Sequence, residues 1–570
     1  LYACYYKEKR MDEAFDVSLK SMSVILNKFD QQNFDLNFNS DYQSISMYKD
    51  QVHSFIFEVL KNSHKNIEIF DKYKDIRFID LMFGLQQVVK SNKLTAKLSE
   101  SITRQISKDE RVGAELRKYT SLLEKKSEIL KLDTIDPDKI KKRNQEINKL
   151  NEELESLLKD ILKKYPDLKK NFANQVVNGE LLHQGMPKDE VIIQYTVGNF
   201  HTFATIITSE DYTVQRIGAN KDKLSKLIKE VRNSLELKNG KPIEFALSQS
   251  QELHDILIAS FTEIIKDKKK IIIIPDGPLY SIPFELLYDK KNQQWLIEKN
   301  AISISPSAYS YVALNLEDNL KFNTGNSFIG FGDPNIKGTK TAESSDFEDI
   351  LELEFSKVFT RGGNIDLKYL KMFPELPETA EELKKISKKF DQNSKLYLRD
   401  DFNENNISSI NFDNYKVVSF ASHALVVGEI DGLSEPSIVL SLPKKITDND
   451  DGLLTASEII NLNINSDLVI LSACNTASSD GNANSEALSG LANSFFYSGA
   501  KSLIVTHWSV ISKTSVDLMV DTFDFLKESE GDLSAALMKS KIKMLKNPDT
   551  NHPIYWAPYT LVGRTTSNFR

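Results

Sequence analysis

Cys474 and His423 are the residues of this chain best suited to covalent chemistry. His423 follows the apolar run Val417-Val418-Ser419-Phe420-Ala421-Ser422, and Cys474 follows Leu468-Val469-Ile470-Leu471-Ser472-Ala473. Both runs read as parallel strands, and in an open parallel α/β sheet the C-terminal strand ends share one edge, so the two side chains could meet there. Cys474 is one of only two cysteines and lies 51 positions after His423, a spacing that suits a nucleophile and its base. A thiol of ordinary pKa, about 8.5, is mostly protonated at neutral pH and needs such a base. The backbone N–H groups of Cys474 and Ala424 are candidate oxyanion donors. Free cysteine is more often a packed core residue, and a strand-end histidine more often a structural one, so position alone leaves both readings open.

The elements that must position this pair come from a change of pattern along the chain. Residues 1–175 read as an all-α region rich in Lys, Glu, Leu and Ile, with no proline before Pro137. Its opening, Tyr5-Tyr6-Lys7-Glu8-Lys9-Arg10-Met11-Asp12-Glu13-Ala14-Phe15, resembles the turn of a tetratricopeptide repeat. Heptad seams at Val112, Leu116, Tyr119, Leu123, Leu130 and at Ile140, Ile147, Leu150, Leu154, Leu157, Ile161 flank Asp136-Pro137, which fits a helix start, so 107–165 reads as an antiparallel helical hairpin. From about 190 short apolar strands alternate with helices: strands at 191–195, 201–207 and 271–274, helices at 221–235 and 250–265. After a polar stretch the alternation restarts with a helix at 379–390 and strands at 395–398, 438–442 and 502–505. This is the signature of a mostly parallel sheet. The division expected is one α/β unit over 190–365 and a second over 375–570.

Composition narrows the functions. The chain has 570 residues, 40% hydrophobic and 27% charged, with 73 basic against 81 acidic side chains, giving −8 at neutral pH. Those charges are interspersed, so no field recruits a polyanion and direct nucleic-acid binding is not expected. Two cysteines make neither a disulfide framework nor a four-thiolate zinc site, which suits a reducing, cytoplasmic setting. No apolar run approaches the ~18–20 residues that span a bilayer, so no membrane role is expected. Leu1 opens in what reads as mid-helix, so the chain is expected to be a piece whose N-terminus lies upstream. Gly330-Phe331-Gly332 lacks a phosphate-loop Gly-Lys-Ser/Thr, and the histidines show no metal-ligand spacing, so no cofactor and no metal is expected.

The text around the pair carries a resemblance. Leu471-Ser472-Ala473-Cys474-Asn475-Thr476-Ala477, Glu486-Ala487-Leu488-Ser489-Gly490-Leu491-Ala492, Phe495-Phe496-Tyr497-Ser498-Gly499-Ala500-Lys501-Ser502 and His507-Trp508-Ser509-Val510 follow one another in order. Upstream stand Pro275-Asp276-Gly277-Pro278-Leu279, Leu376-Pro377-Glu378-Thr379-Ala380-Glu381-Glu382 and Asp451-Gly452-Leu453-Leu454. Downstream stands Trp556-Ala557-Pro558-Tyr559. The series, over roughly 190–565, resembles the CHAT family, caspase-like cysteine peptidases related to separases and commonly attached to tetratricopeptide repeats. The resemblance implies tandem caspase-like α/β/α units with a mostly parallel sheet, the first a degenerate pseudo-peptidase unit and the second the active one. It implies Cys474 as nucleophile and His423 as general base and acid. The family usually has glycine after the histidine, where this chain has Ala424, and alanine disfavours positive φ.

The activity so implied is a cysteine endopeptidase acting on a specific protein or peptide substrate. A partner or signal acting through the N-terminal helices would gate it, and the polar 475–485 loop is the natural element to order. The alternative is a catalytically silent scaffold. An acidic primary pocket would select Arg or Lys through a charge-assisted pair, and Asp431, Glu435, Asp467, Asp480 and Glu486 are candidates for its lining. His507 and Trp508 are further candidates that serve equally as core.

Overall fold

The computed structural model describes residues 179–567 except 239, 317–326, 337–369, 371–372, 391–393, 426–434, 444–449, 473–489 and 509–511; upstream it describes two helices and scattered single residues. The chain divides into compact units Leu1–Leu181 and Leu182–Arg570. In the first, helix α1 (Lys49–Lys61) buries Val52, Phe55 and Ile56, and α2 (Phe78–Lys90) buries Met82, Phe83 and Leu85. The Gln87 amide closes both backbone groups of Val177, donating to its carbonyl at 2.9 Å and accepting from its N–H at 2.8 Å. Lys125 and Glu146, one from each arm of the predicted 107–165 hairpin, approach to 4.0 Å. Most of the seams, and much of the repeat-like opening, lie outside the described residues.

The second unit is built on one sheet. Its strands are β1 (Glu190–Val197), β2 (Thr202–Ile207), β3 (Tyr212–Ile217), β4 (Lys270–Ile274), β5 (Ala301–Ile304), β6 (Phe328–Gly332), β7 (Lys395–Leu398), β8 (Val417–Ala421), β12 (Leu468–Ser472), β13 (Ser502–Thr506) and β14 (Tyr559–Gly563). A separate antiparallel ribbon holds β9 (Ala424–Leu425), β10 (Ser437–Val439) and β11 (Leu453–Thr455). The large sheet has eleven strands among the described residues, in the order β7-β6-β8-β12-β13-β14-β5-β4-β1-β2-β3. It is parallel except at β13–β14 and along β1–β2–β3. The two alternating stretches of sequence therefore share a sheet, joined where β14 meets β5 at Val562 and Ile304. β6 lies in the C-terminal half of that sheet, between β7 and β8.

The strand sequences explain this burial. Ile271–Ile274, Val417–Ala421 and Leu468–Leu471 are continuous β-branched or apolar runs with no polar alternation, the pattern of strands covered on both faces. Helices α3 (Lys221–Asn233), α4 (Leu247–Leu257), α5 (Pro377–Ser387), α6 (Ala456–Asn461), α7 (Gly490–Tyr497), α8 (Ser512–Glu528) and α9 (Leu533–Leu545) supply the cover. The Glu285–Lys541 ion pair, 2.7 Å and fully buried, ties the segment after β4 to α9, whose Nζ also donates to the Tyr559 carbonyl.

Two elements differ from the sequence reading for identifiable reasons. The helix expected over 250–265 stops at Leu257, because the Leu257 carbonyl accepts a 2.7 Å bond from the Tyr195 hydroxyl, and short helical turns follow. The strand expected over 438–442 joins the small ribbon instead of the parallel sheet. Pro436 and Pro443 bracket it and cannot donate to a ladder, while the Ser441 and Leu442 N–H groups go to the Phe402 and Asn335 carbonyls.

Candidate active site

β8 and β12 pair in parallel from Val417↔Leu468 to Ala421↔Ser472. His423 stands two positions beyond Ala421, and in the sequence Cys474 stands two positions beyond Ser472. Cys474 itself lies outside the described residues, as do Asp431, Asp480 and Glu486.

His423 is 5% exposed and held from two sides. Its carbonyl accepts from the Val439 N–H at 2.9 Å, and the preceding Ser422 hydroxyl donates to the Val439 carbonyl at 2.6 Å, so β10 pins the backbone. Its Nε2 donates to the Pro374 carbonyl at 2.9 Å, and the Phe373 ring lies 5.0 Å from the imidazole. A carbonyl only accepts, so this bond puts the neutral ring's hydrogen on Nε2 and the lone pair on Nδ1. Burial lowers the His423 pKa below its ordinary value, opposed by the Pro374 carbonyl and the Glu378 carboxylate. Ala424 opens β9 and has no positive φ, so alanine causes no backbone strain there.

The Phe373–Pro374 segment is braced at the same edge. Arg399 donates to Asp333 at 3.0 Å and to Glu375 at 3.0 Å, and its N–H donates to the Asp333 carbonyl. Asp333 and Arg399 both have left-handed backbones, φ 48 and 54. Such conformations cost about 1–3 kcal/mol each and persist where surrounding contacts impose them. The Asp333 N–H donates to Thr379 Oγ1 at 2.8 Å, anchoring α5. Gly332 and Gly330 let α5 seat on β6: an added Cβ at Gly332 would meet Leu383 Cδ1 at 2.7 Å, and at Gly330 Leu383 Cδ2 at 2.9 Å. The glycine pattern thus serves packing.

On β12, the Ser472 hydroxyl donates to Glu382 of α5 at 2.9 Å and lies 3.1 Å from the Tyr559 hydroxyl. Ser515 of α8 hydrogen-bonds both Glu382 and Tyr559. Nothing in the spacing of Glu382, Ser472, Ser515 and Tyr559 announces this cluster; only the motif Leu376–Glu382 points to its region.

The remaining candidates separate. Asp467 precedes β12, at the end of that strand opposite Ser472, and its carboxylate is buried against Lys501 at 2.6 Å. It is therefore corrected from pocket residue to structural ion pair. The Glu435 carboxylate accepts from the Ser457 N–H at 2.7 Å in the first turn of α6. His507 Nε2 shares a 3.0 Å bond with Thr560 Oγ1, and burial together with Arg232 and Lys541 holds its pKa well below the ordinary range. Trp508 is 7% exposed and donates to the Ile554 carbonyl at 3.2 Å, so it is core, not pocket wall. Arg232 of α3 donates to the His507 carbonyl at 2.6 Å and lies over the Trp508 ring, fastening the end of β13 to the N-terminal half. No group of three or more His, Cys, Asp or Glu suited to a metal occurs among the described residues. No described helix is long and apolar enough to cross a membrane.

A mostly parallel sheet carrying a buried, oriented histidine at its C-terminal edge defines an α/β protein of the caspase-like kind. The CHAT domain family matches residues 247–564, more than half of the chain, and the chain belongs to that family. No curated protein matches the sequence. Among solved structures, a chain of the Saccharomyces cerevisiae separase–securin complex is similar at 12% identity and TM-score 0.39, over 92% of this chain and 43% of that one. A second structure of that complex matches over 99% and 46% with the same TM-score and identity. The Arg-specific cysteine proteinase gingipain R is similar at 8% identity and TM-score 0.34, over 61% and 74%. This chain thus spans less than half the length of the separase-complex chains, and no residue takes its role from any of these structures.

Proposed function

We propose that the chain is a cysteine endopeptidase in which Cys474 is the nucleophile and His423 the general base and acid. The observation that carries the reading is the parallel register of β8 and β12, which ends at Ala421↔Ser472. His423 follows the first of these residues by two positions and Cys474 follows the second by two in the sequence, so both leave adjacent strands at the same edge of the sheet. The Pro374 bond supports it further, since it leaves Nδ1 of the neutral ring free to accept a proton.

In this mechanism Nδ1 takes the Cys474 thiol proton, and the thiolate attacks the scissile carbonyl. The Ala424 and Cys474 N–H groups hold the oxyanion, and the imidazolium returns the proton to the leaving amine. Water, deprotonated by His423, then releases the acyl group and restores the thiol. While charged, the ring is supported by the Pro374 carbonyl and Glu378, which offset part of the desolvation.

The division of labour proposed is a helical region at 1–175 that binds a partner or substrate, a degenerate companion unit at 190–365, and a peptidase unit at 375–570 to whose strands the stretch 190–365 also contributes β6. The Lys125–Glu146 contact supports the 107–165 hairpin, because the two residues lie on either side of the Asp136-Pro137 helix start. Activity is gated through ordering of 475–485. Digestion of a diverse peptide library tests the activity: cleavage at a consistent residue type that disappears in Cys474→Ala supports it, and identical patterns from both proteins refute it. Full activity of the isolated chain on a generic substrate would remove the gating. A catalytically silent scaffold, the competing reading, cleaves nothing under any partner condition.

A further inference from the structure

Elements α5, β12, α8 and β14 converge on one polar cluster inside the second unit. Glu382 is 2% exposed; it accepts from Ser472 at 2.9 Å and from Ser515, and the Tyr559 hydroxyl closes the ring against both serines. No ion pair to Glu382 forms among the described residues, and the charge acting on it from its own helix, Glu378, has the same sign. A buried carboxyl without a cation is costly, and a group so perturbed beside a candidate site is itself a functional-site candidate. Ser472 ends β12 and precedes Cys474 by two positions, while Ser515 lies in the first turn of α8.

We infer that Glu382 is a positioning residue for the nucleophile, its carboxyl fixing Ser472 at the end of β12, two positions before Cys474 in the sequence. The inference rests on the dyad reading above. It enlarges the working site from two strand ends to include α5, whose N-terminal flank also supplies the Pro374 carbonyl. Ionised, the carboxyl accepts from both serines through charge-assisted bonds; protonated, it gains an O–H donor and loses that charge assistance, so its hold on the serines weakens. Burial raises its pKa to about 7, so both forms are populated near neutrality. The groups facing the cluster are Glu378 on α5, the hydroxyls of Ser472, Ser515 and Tyr559, and Lys541 of α9 at the Tyr559 carbonyl.

Alkylation of the full chain by iodoacetamide reads this without a substrate, with the adduct located by mass and Cys4 as internal reference. Glu382→Gln keeps the shape and, at every pH, replaces one accepting oxygen with an uncharged NH2 donor. The expected result is alkylation of Cys474 about tenfold slower at pH 8, the scale of one lost charge-assisted bond, with Cys4 unchanged. The additional fall in wild-type rate between pH 8 and pH 6 should vanish. Ser472→Ala, a milder change, should give the same loss and serves if Glu382→Gln does not fold. Wild-type rate and profile in either folded variant overturns the inference. A His423→Ala arm keeps the two ideas apart: an unchanged Cys474 rate there refutes the dyad, whatever the Glu382 arm shows.

Discussion

His423 Nε2 donates a 2.9 Å hydrogen bond to the Pro374 carbonyl, so the residue that sets the imidazole tautomer is a backbone group 49 positions upstream. That carbonyl sits between Phe373, which packs on the ring, and Glu375, which Arg399 holds. The imidazole is thereby oriented by the approach to α5, and among the described residues the bond is to a backbone carbonyl rather than an acidic side chain.

Phe373→Ala removes the ring beside His423 while leaving the Pro374 carbonyl in the chain. A freer imidazole spends less time aimed at the thiol, so kcat should fall about tenfold with KM little changed, since positioning acts on the reacting geometry. Steady-state kinetics on the best library peptide measures both constants.

Gly332→Ala places a Cβ 2.7 Å from Leu383 Cδ1 and 3.1 Å from the Ala421 carbonyl. Because Leu383 belongs to α5, the helix must shift against β6. Overpacking of this kind costs about 1–3 kcal/mol, readable as a lower urea midpoint at constant m-value, with loss of activity at temperatures where the variant remains folded.

Lys541→Met leaves the Glu285 carboxylate buried without its cation, in a site of negligible exposure on both partners. Such one-sided removal costs about 3–5 kcal/mol, whereas Lys541→Met with Glu285→Leu should recover most of it. Denaturant unfolding of both variants distinguishes a structural pair from a replaceable one.

His507 makes the protein acid-labile in a defined direction. Its folded pKa is held well below the ordinary value near 6.5 by burial, with Arg232 and Lys541 adding to it, so below about pH 6.5 the unfolded chain binds a proton the folded one does not. Stability contributed by the neutral ring is therefore present at higher pH and lost as pH falls. His507→Gln cannot take up that proton, and its melting temperature should drop less than that of the wild type between pH 7.5 and pH 5.

Much of this architecture is legible in the residues themselves. The runs ending at Ala421 and Ser472 are apolar and β-branched, and such runs dictate buried parallel strands wherever helices intervene. The region of α5 is marked by Pro377 at a helix start. What the sequence does not display are relationships fixed only by chain crossing. Glu382 and Ser472 are 90 positions apart, and a glutamate within an acidic run reads as solvent-facing until the fold buries it. Gly330 and Gly332 complete no ligand loop in the sequence, and their spacing is a strand's, presenting two bare positions to Leu383 on the same face. Asp467 reads as an edge residue because it adjoins β12; strand direction puts it at the far end, with Lys501.

The central claim is that His423 activates Cys474, and labelling with an electrophilic peptide probe addresses it most directly. The account predicts a single adduct at Cys474 in the wild type, none in Cys474→Ala, and a rate at least about a hundredfold lower in His423→Ala, the usual scale of a lost general base. Labelling of Cys474 at the wild-type rate in His423→Ala would contradict it.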